Sequence, residues 1–115
     1  MWQRTLDDQL APEEIRGLTT SIWECFLDGK KVAIVGVMYP ILLGPPVLWM
    51  EFLGTTARNL RKLPDLAREF CQSLSDPIVY AEARKGDHCS LNFLGKAGFT
   101  IFAETHDRFV MRLEL

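Results

Sequence analysis

From Val32 to Met50 the chain carries no charged side chain. A stretch of that length is close to what a helix needs to cross a bilayer, so it poses the first choice: a membrane span or the buried centre of a fold. Gly36, Pro40, Gly44, Pro45 and Pro46 divide it, and its first part, Val32-Ala33-Ile34-Val35-Gly36-Val37, is rich in β-branched residues. Proline has no amide hydrogen to give a helix, and β-branched side chains suit a pleated surface. The run therefore reads as two buried strands, Val32–Met38 and Val47–Leu53, separated by Gly44-Pro45-Pro46, and not as a membrane span. Both are apolar on both faces, which places them inside a sheet that is covered on each side.

The rest of the composition supports such a core. A chain of 115 residues, 48% hydrophobic and 24% charged, is one domain's worth, so residues 1–115 are expected to form a single domain that needs neither disulfide nor metal to stay folded. Cys25, Cys71 and Cys89 are odd in number and scattered, with no CxxC pair and no histidine at zinc-ligand spacing. That pattern supports no disulfide framework and no metal site, and it fits a reducing cytosol. A formal charge of -2 supplies no cationic field for nucleic acid or an anionic membrane. Met1-Trp2-Gln3-Arg4 runs into Asp7 and Asp8 without an apolar stretch, so no secretory signal is expected and the location is expected to be cytoplasmic.

Periodicity sets the remaining elements. Ile15, Leu18, Ile22, Cys25 and Phe26 recur at helical spacing, with Pro12 at a first helical position and Glu13 and Glu14 where the helix dipole favours acid, predicting a helix over 12–28 that ends at Asp28-Gly29-Lys30. Ala57, Leu60, Leu63, Ala67, Phe70, Cys71 and Leu74 predict the longest amphipathic helix over 55–74, which Pro64 should kink or split. Ile78–Ala83 reads as a strand, Asp87 as the N-cap of a short helix reaching about Ala97, and Gly98 as its stop. Thr100–Glu104, a turn at Thr105–Arg108 and the alternation of Phe109, Met111, Leu113 and Leu115 make a closing hairpin. The fold class is α/β: a mixed central sheet flanked by helices, ending in a C-terminal antiparallel hairpin.

In that order of elements, Phe93-Leu94-Gly95-Lys96-Ala97-Gly98-Phe99 resembles the end of the GNAT superfamily of acyl-CoA-dependent N-acetyltransferases, whose short helix reads N-x-x-A-x-x-L-Y-x-K-x-G-F before two strands. Lys96, Gly98 and Phe99 match, and Phe93 stands for the leucine. The resemblance implies a second mark, a Q/R-x-x-G-x-G/A loop whose amides cradle the pyrophosphate of CoA at a helix N-terminus. Glu51-Phe52-Leu53-Gly54-Thr55-Thr56-Ala57 occupies that place, so a retained cofactor would lie on Leu53, Gly54, Thr55, Thr56 and Ala57. Only Gly54 fits the pattern: Glu51 puts an acid beside an anion and Thr56 puts a branched side chain where backbone must approach closely. Arg58, Arg61 and Lys62 offset that charge or form a solvated helix face.

The family's tyrosine general acid falls on Leu94, which carries no proton, and its asparagine falls on Asp87, which reads as a helix cap. Glu51 is the one acid on the central strand placed to act as a base toward an amine. A narrower likeness, over residues 32–104, is to the small GNAT-like internal virion proteins of short-tailed phages; a reduced first strand around Gln3–Leu6 would depart from the full fold. The resemblance thus implies a GNAT-fold protein, phage-encoded, that acts by protein contact in a virion or assembly complex with a degenerate acetyl-CoA site and no cofactor, located in the host cytoplasm or the virion. The alternative it leaves is an active acetyl-CoA-dependent N-acetyltransferase on a small amine or protein amine. Protein partners or self-assembly are expected, with no nucleic acid and no metal.

Other chemistry-bearing residues have plainer readings. His88 and Cys89, adjacent on a helix, point about 100° apart and do not form a catalytic pair. His106 and Asp107 suit a polar turn. Trp23 and Trp49 are expected inside, whereas the surface near Trp2, at a polar terminus, or else an exposed sheet edge, is the expected interface.

Overall fold

The uncharged run folds as two neighbouring strands of one seven-stranded sheet. The computed structural model describes residues 2–40, 44–53 and 57–115. Its strands are β1 (Trp2–Thr5), β2 (Thr19–Leu27), β3 (Lys30–Met38), β4 (Val47–Phe52), β5 (Ile78–Arg84), β6 (Thr100–Glu104) and β7 (Arg108–Glu114), and its helices are α1 (Ala57–Ser73) and α2 (His88–Lys96). The strands lie in the order β1-β2-β3-β4-β5-β7-β6. All neighbours are antiparallel except β4 and β5, which α1 joins as a parallel crossover. This is the mixed α/β sheet with a terminal antiparallel hairpin that the sequence predicts.

Val32–Val37 of β3 are buried on both sides, because each face of the sheet has its own cover. One face holds both helices: Val35, Val37, Leu48, Val79, Ala81, Ala83, Met111 and Leu113 of the sheet pack on Ala67, Phe70 and Cys71 of α1 and on Ala97 and Phe99. On the other face, Ala11 and Leu10 cover Ile22, Ile34, Trp49 and Leu53. Gly36 faces that second layer. The Trp49 indole lies so close across it that a Cβ there would overlap the ring, and Trp49 Nε1 donates to Thr19 Oγ1 at 3.1 Å.

The helix predicted over 12–28 does not form. Only a 3-10 turn, Glu13–Ile15, follows Pro12, and 19–27 is β2, paired to β1 and β3. The cause is the double cover. Ile22 packs in the outer layer while Cys25 packs under α1, so a strand buried on both faces shows apolar residues at a spacing of three and imitates a helix. Asp28 and Gly29 have φ of 52° and 77°, between the paired Leu27 and Lys30. Two successive positive φ values are what a tight two-residue hairpin loop requires, and Asp-Gly is a favoured sequence for it.

Pro64 does not split the long helix, which runs without a break from Ala57 to Ser73. The hydrogen bond a proline forfeits, about 3 kcal/mol with its steric cost, is outweighed by Leu63, Ala67, Phe70 and Cys71 buried on either side of it, of which the large apolar Leu63 and Phe70 each contribute about 1.5 to 3 kcal/mol. Asp87 caps α2 as predicted: its Oδ1 accepts from Ser90 N at 3.1 Å and its Oδ2 from Ser90 Oγ at 2.7 Å. These bonds hold the Asp87 carboxyl below its ordinary range. Gly98 ends the helix region with φ of 105°, a conformation that side chains resist. Among the described residues, no helix is long and apolar enough to cross a membrane.

Candidate functional site: the cleft between two diverging strands

The parallel pair β4 and β5 is in register only at Val47 with Tyr80 and Leu48 with Ala81. Beyond Leu48 the two strands run on without pairing, so the sheet opens at their carboxyl ends, the position where open α/β sheets seat ligands. A cleft of about 80 Å3 fills the gap. Leu48, Met50 and Phe52 of β4 form one wall, Ala81 of β5 and Phe93 and Leu94 of α2 the other, and Ala67 and Cys71 of α1 the floor. That volume holds roughly half a dozen water-sized spheres.

The walls are almost wholly apolar. The rings of Phe52 and Phe93 meet edge to face with centroids 4.9 Å apart, tying the free end of β4 to α2 across the opening. Leu94 lines the cleft and has no proton to give. Of the polar side chains, Ser90 is spent on Asp87, and Glu82, at the rim, takes Arg108 Nη1 at 3.2 Å. The Cys71 thiol is buried, and that burial pushes it up to about 12, so it stays protonated and is a poor nucleophile. Among the described residues the cleft offers no unengaged acid or base.

Glu51 is exposed on the opposite face from this cleft: it pairs across the ladder with Ile34, which belongs to the outer layer. It is beside the opening but turned from the helices. Leu53 is half-buried in the outer layer, its amide donating to the Val32 carbonyl at 2.9 Å. Gly54, Thr55 and Thr56 lie outside the described residues, and Ala57 opens α1. Arg61 and Lys62 are exposed on α1 and make no ion pair among the described residues, in keeping with a solvated face.

Cys89 is exposed and follows His88 at the start of α2. Asp107 lies in the β6–β7 turn, where its Oδ1 accepts from Thr105 Oγ1 at 3.4 Å. Cys25, Cys71 and Cys89 are all free thiols. Trp2 Nε1 donates to the Leu66 carbonyl at 3.1 Å and its ring centroid lies 4.9 Å from that of Phe70. The tryptophan fastens β1 to α1. Sequence reasoning did not single out the Phe52–Phe93 contact or Cys71 as a cleft residue; the signals were an aromatic at the end of the fourth strand and another replacing leucine in the helix motif.

Among the described residues, Phe52 and Phe93 touch across the opening and no cleft side chain is free to handle a proton.

No family model and no curated protein matches the sequence. Solved structures do match. The Campylobacter jejuni N-acetyltransferase PseH is 15% identical, with a TM-score of 0.66 over 82% of this chain and 67% of that one. The aminoglycoside acetyltransferase AAC(6')-Ib, in complex with ribostamycin and coenzyme A, is 12% identical, with a TM-score of 0.73 over 93% and 70%. A GNAT-family acetyltransferase from Streptococcus pneumoniae is 17% identical, with a TM-score of 0.62 over 83% and 66%. The chain therefore has the GNAT fold, with the diverging pair β4 and β5 at its centre.

Proposed function

We propose that this chain uses the GNAT fold as a scaffold for contact with other protein chains, without acetyl transfer, and that it is phage-encoded and works in a virion or assembly complex. One observation carries the reading: the opening between β4 and α2 is bridged by Phe52 and Phe93 over an apolar cleft of about 80 Å3. Leu94 in that cleft supplies no general acid, and Glu51 faces away from it. The likeness of residues 32–104 to small internal virion proteins supports the phage assignment.

A second reading, an acetyl-CoA-dependent N-acetyltransferase on an amine, draws on a different observation. The strand divergence itself is kept, and AAC(6')-Ib, one of the neighbours, is described with coenzyme A bound. In that case Leu53 to Ala57 would hold the pyrophosphate through backbone amides, and Glu51 or a water would take the amine proton.

Isothermal titration with acetyl-CoA and CoA separates the two. The scaffold reading expects no heat at near-millimolar ligand. A dissociation constant in the micromolar range, worth about 8 kcal/mol, would overturn it and establish the cofactor site, and Gly54→Trp should then abolish binding while the fold survives.

A further inference from the structure

We propose that β1 is a detachable strap: it opens as a unit while the rest of the sheet stays folded, Trp2 is its latch, and its release uncovers Cys25 and the edge of β2. The device belongs to the fold and holds whether or not the chain transfers an acetyl group.

The strap is four residues long, lies at one end of the sheet and pairs with β2 alone, from Trp2 opposite Cys25 to Thr5 opposite Ile22. Gln3 and Arg4 are exposed, and their side chains make no hydrogen bond or ion pair among the described residues. Thr5 serves its own turn, its Oγ1 accepting from Asp7 N at 3.2 Å. Trp2 alone of the four reaches the helix layer: besides its bond to Leu66 and its ring contact with Phe70, it packs on Cys25, Val32, Ala33 and Leu63. Beyond its ladder, then, the apolar attachment of β1 runs through one side chain.

The chain after β1 supplies the hinge. Leu6 is 93% exposed and Asp7 is exposed too, and the next fastening is a separate one. Leu10 and the buried Ala11 sit in the outer layer, where Arg16 Nη2 donates to the Ala11 carbonyl at 3.0 Å and to the Gln9 carbonyl at 3.4 Å. β1 can therefore leave without drawing residues 9–11 from that layer. A terminal segment with few buried contacts, divided from the next anchor by exposed residues, opens at far lower cost than the whole fold. What it hides is apolar: Cys25 is 0% exposed beside Trp2, and β1 is the last strand between it and solvent on that side.

The test is thiol labelling of Cys25 in the full chain carrying Cys89→Ser, at urea concentrations below the unfolding transition, read by peptide mass mapping and set beside urea unfolding of the same protein. Cys25 should label faster than global unfolding allows and with little dependence on urea, because opening so short a strand exposes little surface. Trp2→Ala should raise that rate at least about tenfold beyond any change in global stability, while Cys71, which lies under α1, follows global stability alone. Trp2→Phe, which keeps a ring against Phe70 and gives up the bond to Leu66, should fall between the parent and Trp2→Ala. Labelling of Cys25 that tracks global unfolding in rate and urea dependence would overturn the strap. Equal acceleration of Cys25 and Cys71 in Trp2→Ala would overturn the latch, and if that variant does not fold, unchanged Cys25 labelling in Trp2→Phe would do so.

Discussion

Phe52 and Phe93 stand with ring planes at 71° and centroids 4.9 Å apart, and this one contact joins the free end of β4 to the helix that follows β5. An edge-to-face pair of this kind contributes about 0.5 to 1.5 kcal/mol beyond the area it buries. It is weak enough to be removed without unfolding the sheet. Cys71 on the cleft floor reports on it. With Cys89 replaced by serine, Cys71 should resist a small thiol reagent at neutral pH, and Phe93→Ala should speed its labelling at least about tenfold, a loss of roughly 1.4 kcal/mol of protection. Peptide mass mapping would separate Cys71 from Cys25, which is buried on β2. Unchanged labelling in the variant would show that the aromatic pair does not close the opening.

How far the fold was legible depended on whether a segment's burial is one-sided. From Val47 onward most elements were foreseen, because punctuation and periodicity agree: Pro46 before β4, Asp87 capping α2, Gly98 at φ of 105°, and β7 alternating between buried Met111 and Leu113 and half-buried Val110 and Arg112. β2 was not, because its two covered faces put Ile22 and Cys25 three residues apart, and Asp28-Gly29 served equally well as a helix end and as a hairpin loop. Of the cleft, the sequence showed only Phe93 and Leu94, as departures from the helix motif. That two aromatics meet across it is a tertiary fact, since Phe52 and Phe93 are brought together by the divergence of β4 and β5, which no local pattern encodes.

Gly36 and Trp49 form a pair that depends on both members. With no side chain at 36, the indole of Trp49 lies flat on β3 and reaches Thr19 with its Nε1. Gly36→Ala should therefore destabilise the protein by about 1 to 3 kcal/mol, the usual cost of overfilling a packed site. Trp49→Leu is also destabilising, but the double variant should be less so than the sum, with a coupling of at least about 1 kcal/mol in urea unfolding. Additive losses would mean that the ring can move aside and that Gly36 is not there to admit it.

Cys71 gives the fold an alkaline limit. Its thiol has an ordinary value of 9.0 and is pushed up to about 12 by burial; the folded state therefore holds the proton more tightly than the unfolded chain. A group raised in this way contributes its full stability below its unfolded value, and loses it as pH climbs toward the folded one, at a slope of about 1.4 kcal/mol per pH unit for one proton. Cys25, raised in the same direction by burial, adds to the trend. The urea midpoint should hence be flat near neutrality with respect to these thiols and fall between pH 9 and about 12. Cys71→Ala should be less stable at pH 7, through the small void left at the cleft floor, yet show a shallower decline above pH 9. Parallel alkaline slopes in the two proteins would show that the buried thiol does not set this limit.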